Sequence, residues 1–204
     1  MRLMPAGDTA LLVELADLDE VLSLYARLDE DLPDGVVDLV PAATTLLLTI
    51  DPRVTDVEGL ARRVSGITVG SHERATTGEV EIPVVYDGAD LAEVGRITGL
   101  GERGVIEAHT GSPWTVAFCG FAPGFGYMVG GDERLRVPRR DNPRTRVPAG
   151  SVAIAGEFAS VYPRESPGGW QLIGRTTLEV WDIGREPPAL LVPGTTVRYV
   201  EVTS

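Results

Sequence analysis

The chain contains no lysine: all 18 of its basic residues are arginine, set against 30 acidic residues in a total of 204. That absence removes several functions from the chain by itself. A phosphate-cradling P-loop needs a lysine on the phosphates. A Schiff-base enzyme needs a lysine amine, and a biotin carrier needs a lysine to hold the cofactor. Cysteine is nearly absent as well. With Cys119 alone, neither an internal disulfide nor a cysteine-rich zinc site can form, and its apolar setting, Val116 to Gly120, suits a small buried side chain. No apolar run approaches the ~20 residues that span a bilayer, so no membrane association is expected. The start, Met1 to Pro5, has no long apolar stretch after Arg2, so a signal peptide is not expected and the cytoplasm is the expected location. The formal charge of −12 opposes binding to nucleic acid. There is no Gly-x-Ser-x-Gly elbow and no His-Glu-x-x-His. The two histidines, His72 in a polar linker and His109, are too far apart to make a metal motif.

What is present reads as two parts. Thr9 to Leu15 alternates like a strand. Asp17 then caps a helix whose stripe is Leu18, Val21, Leu22, Tyr25, Leu28 and Leu32, stopped by Pro33-Asp34-Gly35. Strands at 36–40 and 45–50 follow, then a helix opened by Asp56 and a polar stretch from Gly70 to Gly78. A strand carrying Val80, Ile82 and Val84 closes the series. The order β-α-β-β-α-β predicts a ferredoxin-like α+β domain over residues 1–85. The second part, 86–204, opens with two short helices, one carrying Leu91, Val94 and Ile97 and one over 102–109. From Trp114 onward, short apolar runs broken by Gly and Pro predict an all-β, nearly closed barrel.

The unusual residues concentrate in this second part. Gly120 to Tyr127 joins glycines and a proline to Phe121, Phe125 and Tyr127. Such a loop lets backbone approach a ligand between flat apolar walls, or else packs its aromatics into the core. Arg134, Arg136, Arg139, Arg140, Arg144 and Arg146 then crowd into thirteen positions. Arg134, Arg136 and Arg140 read as solvated surface charges. Arg139, Arg144 and Arg146 ride on segments stiffened by Pro138, Pro143 and Pro148 and read as an anion site. Ser166-Pro167-Gly168-Gly169-Trp170 is a tight turn that either presents its indole and N–H groups to a ligand or places Trp170 in the core. His109 is either a proton exchanger near neutral pH or a helix C-terminal cap.

Taken in order, these stretches resemble one family. His109; Gly120-Phe121-x-Pro123-Gly124-Phe125-x-Tyr127; Pro138-Arg139; Pro143-Arg144; Val147 to Val152, with Ser151; Tyr162-Pro163; Ser166 to Trp170; and Ile173-Gly174-Arg175-Thr176 are similar to the pattern of the B-type 5-oxoprolinase subunits. This family is also called allophanate hydrolase subunit 1 and includes the Bacillus sporulation-kinase inhibitor KipI. A related module occurs in the carboxyltransferase region of urea carboxylase. The resemblance covers nearly the whole chain and is densest from Ile82 onward. It departs at Gly126, where the family usually has proline, which would loosen the loop. It departs again at Ala43-Thr44, where a polar pair is usual.

The resemblance implies a ferredoxin-like domain followed by a cyclophilin-like β-barrel. It implies a subunit that does not work alone, joined by a C-type and an A-type partner in an ATP-dependent enzyme that opens 5-oxoproline to glutamate, with Mg-ATP held by the complex. It points to His109 as catalytic. It places substrate binding on Phe121, Pro123, Gly124, Tyr127, Arg139, Arg144, Arg146, Ser151, Gly168, Gly169, Trp170 and Arg175. Two alternatives stand beside it: carboxyl transfer to urea or a relative, and inhibition of a histidine kinase without turnover.

Overall fold

In the computed structural model, which describes residues 1–68 and 78–203, two aspartates start helices where the sequence places them. The Asp17 side chain accepts the Glu20 N–H at 2.9 Å and opens α1 (Leu18–Glu30). Asp56 accepts the Gly59 N–H at 2.6 Å and opens α2 (Val57–Ser65). Each satisfies a donor that the first helical turn leaves free. The face that α1 buries carries Leu18, Val21, Leu24 and Leu28; Leu24 takes the place expected for Leu22, and Leu32 lies beyond the helix end, exposed. His72 lies outside the described residues.

The chain divides into two units, Met1–Arg74 and Ala75–Ser204. In the first, β1 (Arg2–Pro5), β2 (Ala10–Glu14), β3 (Val36–Pro41) and β4 (Thr45–Ile50) form an antiparallel sheet in the order β1-β2-β4-β3. Leu11, Val13, Leu46 and Leu48 pack there with Leu60 and Val64 of α2. The expected ferredoxin-like series is not completed in this unit. Its last strand, β5 (Gly78–Val84), joins the second unit, and the place beside β2 is taken by β1, a strand that the sequence pattern does not announce. The reason is burial. Ile82 and Val84 are fully buried in the core of the second unit, and β5 runs parallel to β13 (Thr195–Glu201) over seven residue pairs. The division therefore falls ahead of β5 rather than at residue 85.

The second unit continues with α3 (Leu91–Thr98) and α4 (Gly101–Thr110). Its strands are β6 (Trp114–Cys119), β7 (Gly126–Val129), β8 (Arg144–Val147), β9 (Ser151–Ala155), β10 (Phe158–Val161), β11 (Ser166–Gly168) and β12 (Gln171–Arg175), followed by β13. Seven strands form one curled sheet in the order β12-β9-β10-β7-β6-β13-β5, and β8 pairs with β11 apart from it. Its two edges meet at one point. Val85, just beyond β5, and Arg175 of β12 exchange both backbone hydrogen bonds, each 2.9 Å. The sheet curls far enough to touch itself there, which covers part of two edges that would otherwise be open.

The segment between β5 and α3 is laid tightly on β12. Gly88 N–H bonds Ile173 O at 3.3 Å, and Asp90 N–H bonds Leu172 O at 2.9 Å. A Cβ on Gly88 would collide with the backbone of Leu172 and Ile173 and sit 2.5 Å from Gly174 N. Backbone cannot yield there as a side chain could. Gly88→Ala is expected to destabilise the second unit by about 3 kcal/mol, the upper range for overpacking, read as a lowered urea midpoint at unchanged m-value.

Candidate functional site

Three stretches of the second unit that are far apart in sequence meet at one small cavity. The loop between β6 and β7 supplies Phe121 and Phe125, and β7 supplies Tyr127. The end of β10 leads to Tyr162, the end of β11 supplies Gly168, and the turn into β12 supplies Gly169 and Trp170. Arg139 completes the lining, and the cavity volume is about 120 Å³. That is well below the ~300–1,000 Å³ of drug-sized sites, so it fits a single small ring. Its aromatic walls meet edge to face. Phe125 lies 5.1 Å from Phe121, 5.3 Å from Tyr162 and 5.4 Å from Trp170, and Tyr127 lies 5.6 Å from Trp170, all between ring centroids. These spacings suit the ring quadrupoles.

The loop is held in an unusual shape. Phe121 has φ +66°, a left-handed conformation that non-glycine residues rarely adopt, and 57% of it is exposed. Gly124 has φ +79°, and a Cβ there would stand 2.6 Å from Trp181 Cβ. Backbone strain of this kind gathers at ligand sites. In the turn, a Cβ on Gly168 would strike the Tyr162 hydroxyl, so glycine is what leaves room for that hydroxyl beside the turn. Burial raises the Tyr127 and Tyr162 hydroxyls above their ordinary pKa, and the Arg139 charge works against that rise in both.

The three arginines expected to bind an anion have separate fates. Arg139 makes no ion pair and no side-chain hydrogen bond among the described residues. Arg144 instead grips Asp90 with both terminal nitrogens, at 2.8 Å each. Arg146 is exposed and paired to Glu165 at 2.9 and 3.0 Å. Neither lines the cavity, and both are taken up by carboxylates of the chain itself. Arg140, expected to be a solvated charge, also binds Asp90, at 2.6 Å; Arg134 and Arg136 do sit in exposed pairs with Asp132 and Glu133. Asp90 is 2% exposed and also accepts the Leu172 N–H at 2.7 Å. Burial works to raise its carboxyl, but the Arg144 and Leu172 hydrogen bonds with the two arginine charges outweigh it and hold the pKa below its usual value.

Other expected site residues lie outside the cavity lining. Arg175 closes the sheet through its backbone and pairs Asp87 from an exposed side chain at 2.9 Å. Ser151 is buried in β9, and Pro123 and Gly124 shape the loop without lining the cavity. Gly126 begins β7, where its carbonyl accepts the Ser160 hydroxyl at 2.8 Å. The loosening expected from the missing proline is therefore countered by strand pairing. Phe125 and Tyr162, which were not among the expected binding residues, complete the box; both lay in motifs already visible as Phe125 and Tyr162-Pro163.

His109 is corrected most firmly. It is fully buried at the end of α4 among Tyr86, Trp114 and Tyr199, with ring centroids 5.8, 5.4 and 4.1 Å away. Nδ1 lies 2.7 Å from the Tyr86 hydroxyl. Burial pushes its pKa down to about 3, so at neutral pH it is an uncharged core residue, neither a proton exchanger nor a charged cap. It does not line the aromatic cavity. Cys119 is half-buried, with its thiol against the Leu191 carbonyl at 3.3 Å. No cluster of three metal-ligating side chains occurs among the described residues, and none of their helices is long and apolar enough to cross a membrane.

Residues 1–191 match the family model of the carboxyltransferase domain, subdomain C and D. The chain is 39% identical over 204 residues to the B-type 5-oxoprolinase subunit of Escherichia coli O157:H7, covering 95% of this chain and 93% of that protein. It is 34% identical to the B-type 5-oxoprolinase subunit of Bacillus subtilis, covering 97% and 91%. Among solved structures, TTHA0988 superposes with a TM-score of 0.78 at 36% identity over 97% of this chain; the chain spans 40% of that longer one. The Kluyveromyces lactis urea amidolyase shares the fold, with a TM-score of 0.77 at 18% identity, over 98% of this chain and 15% of that protein.

Two outcomes are expected from these contacts. Asp90→Ala leaves Arg140 and Arg144 without their partner and should cost about 3 kcal/mol, measured by chemical unfolding at neutral pH. His109 gives a pH dependence. Its proton binds the unfolded chain near pH 6.5 and the folded chain only near pH 3. Stability contributed by keeping it neutral is therefore intact above pH 6.5 and is lost as pH falls toward 3, at up to about 1.4 kcal/mol per pH unit. Unfolding measured from pH 7 to pH 4 should show this slope in the wild type and a slope smaller by one proton in His109→Phe.

Proposed function

Since the chain belongs to the family of B-type 5-oxoprolinase subunits, we propose that it is a substrate-holding, non-autonomous subunit of a 5-oxoprolinase, with 5-oxoproline seated in the aromatic cavity and its carboxylate on Arg139. One observation carries this reading: a guanidinium with no ion-pair partner among the described residues, at a 120 Å³ box of five aromatic rings. 5-Oxoproline is a small five-membered ring bearing one carboxylate. The box offers flat walls to the ring, and Arg139 offers a planar two-pronged contact to the carboxylate. Urea, the substrate of the alternative reading, would fit by size but brings no carboxylate for Arg139.

This chain's part in the reaction is to bind, orient and shield. The ring amide is resonance-stabilised, so coupling its opening to ATP suits the chemistry. The aromatic cavity itself is too small for a nucleotide, and the chain supplies no lysine for its phosphates, so ATP is assigned to the complex rather than to this cavity. Nor does the cavity lining hold a nucleophile paired with a base. The groups that transfer phosphate and attack the amide are assigned to the C-type and A-type partners, in a complex that works in the cytoplasm.

The test is turnover and KM for 5-oxoproline in a complex co-expressed with those partners. The chain alone should be inactive. Arg139→Ala should weaken 5-oxoproline binding by about ten- to a hundredfold, the loss of one charged hydrogen-bonding partner at roughly 1.5–3 kcal/mol. Arg139→Lys should recover part of this. Arg146→Ala, which loses only an exposed pair, should change binding less than about threefold. Unchanged KM in Arg139→Ala would move the substrate out of this cavity.

A further inference from the structure

Beyond β12 the chain folds back on itself between Val180 and Leu190. The Leu190 N–H bonds the Val180 carbonyl at 2.9 Å, Trp181 bridges Ala189, and the Asp182 N–H bonds the Pro188 carbonyl at 3.0 Å. The reversal is a tight turn. The Arg185 N–H bonds the Asp182 carbonyl at 3.1 Å, and the Asp182 side chain accepts the Gly184 N–H at 2.8 Å. Arg185 then clasps the loop, its guanidinium donating to the backbone carbonyls of Glu179, Pro187 and Pro188 at 3.1, 3.4 and 2.9 Å. Ile183 stands in the middle of this turn and is 88% exposed. The bonds hold in place a side chain that buries almost nothing within the chain.

Ile183 has apolar company. Trp181, 38% exposed, lies on the backbone of the β6–β7 loop, where a Cβ on Gly124 would stand 2.6 Å from the Trp181 Cβ. Three residues before Gly124 comes Phe121, the exposed wall of the aromatic box. Two adjoining loops thus expose three large apolar side chains. Among the described residues of the second unit only Ile97 and Val202 are comparably exposed, and neither lies on these loops. Apolar exposure gathered in this way marks an interaction surface.

The charge around it has one sign. Glu179 and Glu186 are exposed and have no ion-pair partner among the described residues, and the half-buried Asp182 side chain accepts only the Gly184 N–H there. The one base of the loop, Arg185, has its guanidinium engaged by carbonyls. A second copy of the chain is the wrong occupant. A two-fold interface would set this acidic rim against itself, on chains that each carry a formal charge of −12.

We propose that the Trp181–Ala189 loop and Phe121 anchor a different polypeptide, with Ile183 entering an apolar socket ringed by lysine or arginine. A loop already fixed has little freedom to lose on docking. Alone it buries far less than the ~1,000 Å² of a stable interface, so it is the centre of affinity in a wider contact. That the docked polypeptide is the subunit supplying the reacting groups rests on the reading proposed above. The contact of Trp181 with Gly124 would then set that subunit beside the aromatic box.

The test titrates the purified chain with the purified C-type subunit at low and at physiological salt, with the oligomeric state of the free chain read by sedimentation. Binding should weaken as salt rises. Ile183→Ser should weaken it by about tenfold or more. Glu179→Arg combined with Glu186→Arg should slow association and remove the salt dependence. Neither variant should move the thermal midpoint of the free chain, since all three side chains are exposed. Wild-type affinity in Ile183→Ser, or no binding by the wild type, would overturn the anchor. If Arg139→Ala still raised KM in the assembled complex, the reading of the aromatic box would survive that result. Loss of the C-type subunit by Ile183→Ser, with no 5-oxoproline turnover by the wild-type complex of all three subunits, would keep the anchor and overturn the reading. Self-association of the free chain that Ile183→Ser abolishes would make the occupant a second copy and overturn the proposal.

Discussion

The carboxylate of Asp90 organises the face of the second unit that carries the site. It is nearly fully buried and accepts hydrogen bonds from Arg140, from both terminal nitrogens of Arg144 and from the Leu172 N–H. An isolated buried carboxylate would be prohibitive, but this one has two charged partners and a backbone donor, the condition under which a buried ion network holds. It joins the residue ahead of α3, the strand β12 and the segment from Arg140 to Arg144. Those tethers fix the direction of the chain on both sides of Asp141. Because Asp90 takes up Arg140 and Arg144, the positive charge left over is that of Arg139.

Close backbone approach does the rest of the positioning. Gly88 lies against the backbone of β12, Gly168 makes room for the Tyr162 hydroxyl, and Gly124 makes room for Trp181. None of the three could carry a side chain without moving a neighbour. The aromatic box is thus assembled from segments that span more than forty residues of the chain, and each is locked by contacts outside the box. A small rigid box loses little conformational freedom when a ring enters it, which is the preorganisation a small ligand needs to bind with few contacts.

Local signals in the sequence carried over well. The caps Asp17 and Asp56 form as expected because a cap is settled within four residues. The two short helices after β5 and the change to β-structure from Trp114 are likewise present. Pairing that spans the chain did not carry over. Nothing inside 78–84 tells that strand to join β13, more than a hundred residues later, rather than the first sheet. The arginines show the same limit more sharply. Pro138-Arg139 and Pro143-Arg144 are alike in local sequence, and one faces a cavity while the other grips Asp90, fifty-four residues earlier. Asp90 occupies the N-cap position of α3, yet its side chain caps nothing and serves the ion network. His109 falls the same way, since only the packing of Tyr86, Trp114 and Tyr199 around it shows that it cannot exchange a proton near neutral pH.

The distribution of charge in the second unit then bears on how the work is divided. Apart from Arg139, the arginines nearest the aromatic box in sequence, Arg140 and Arg144, are already paired within the chain. Paired groups have spent their interaction on each other and have little left to change during a reaction. Groups that stabilise a transition state must be free to interact more strongly with it than with the ground state. One guanidinium without an ion-pair partner among the described residues, beside five aromatic rings, is suited to selecting a small ring and holding it still. On the reading proposed above, the groups whose interactions grow as an amide bond opens come from another polypeptide. The exposed, strained ring of Phe121 is the part of the box wall that such a polypeptide could reach.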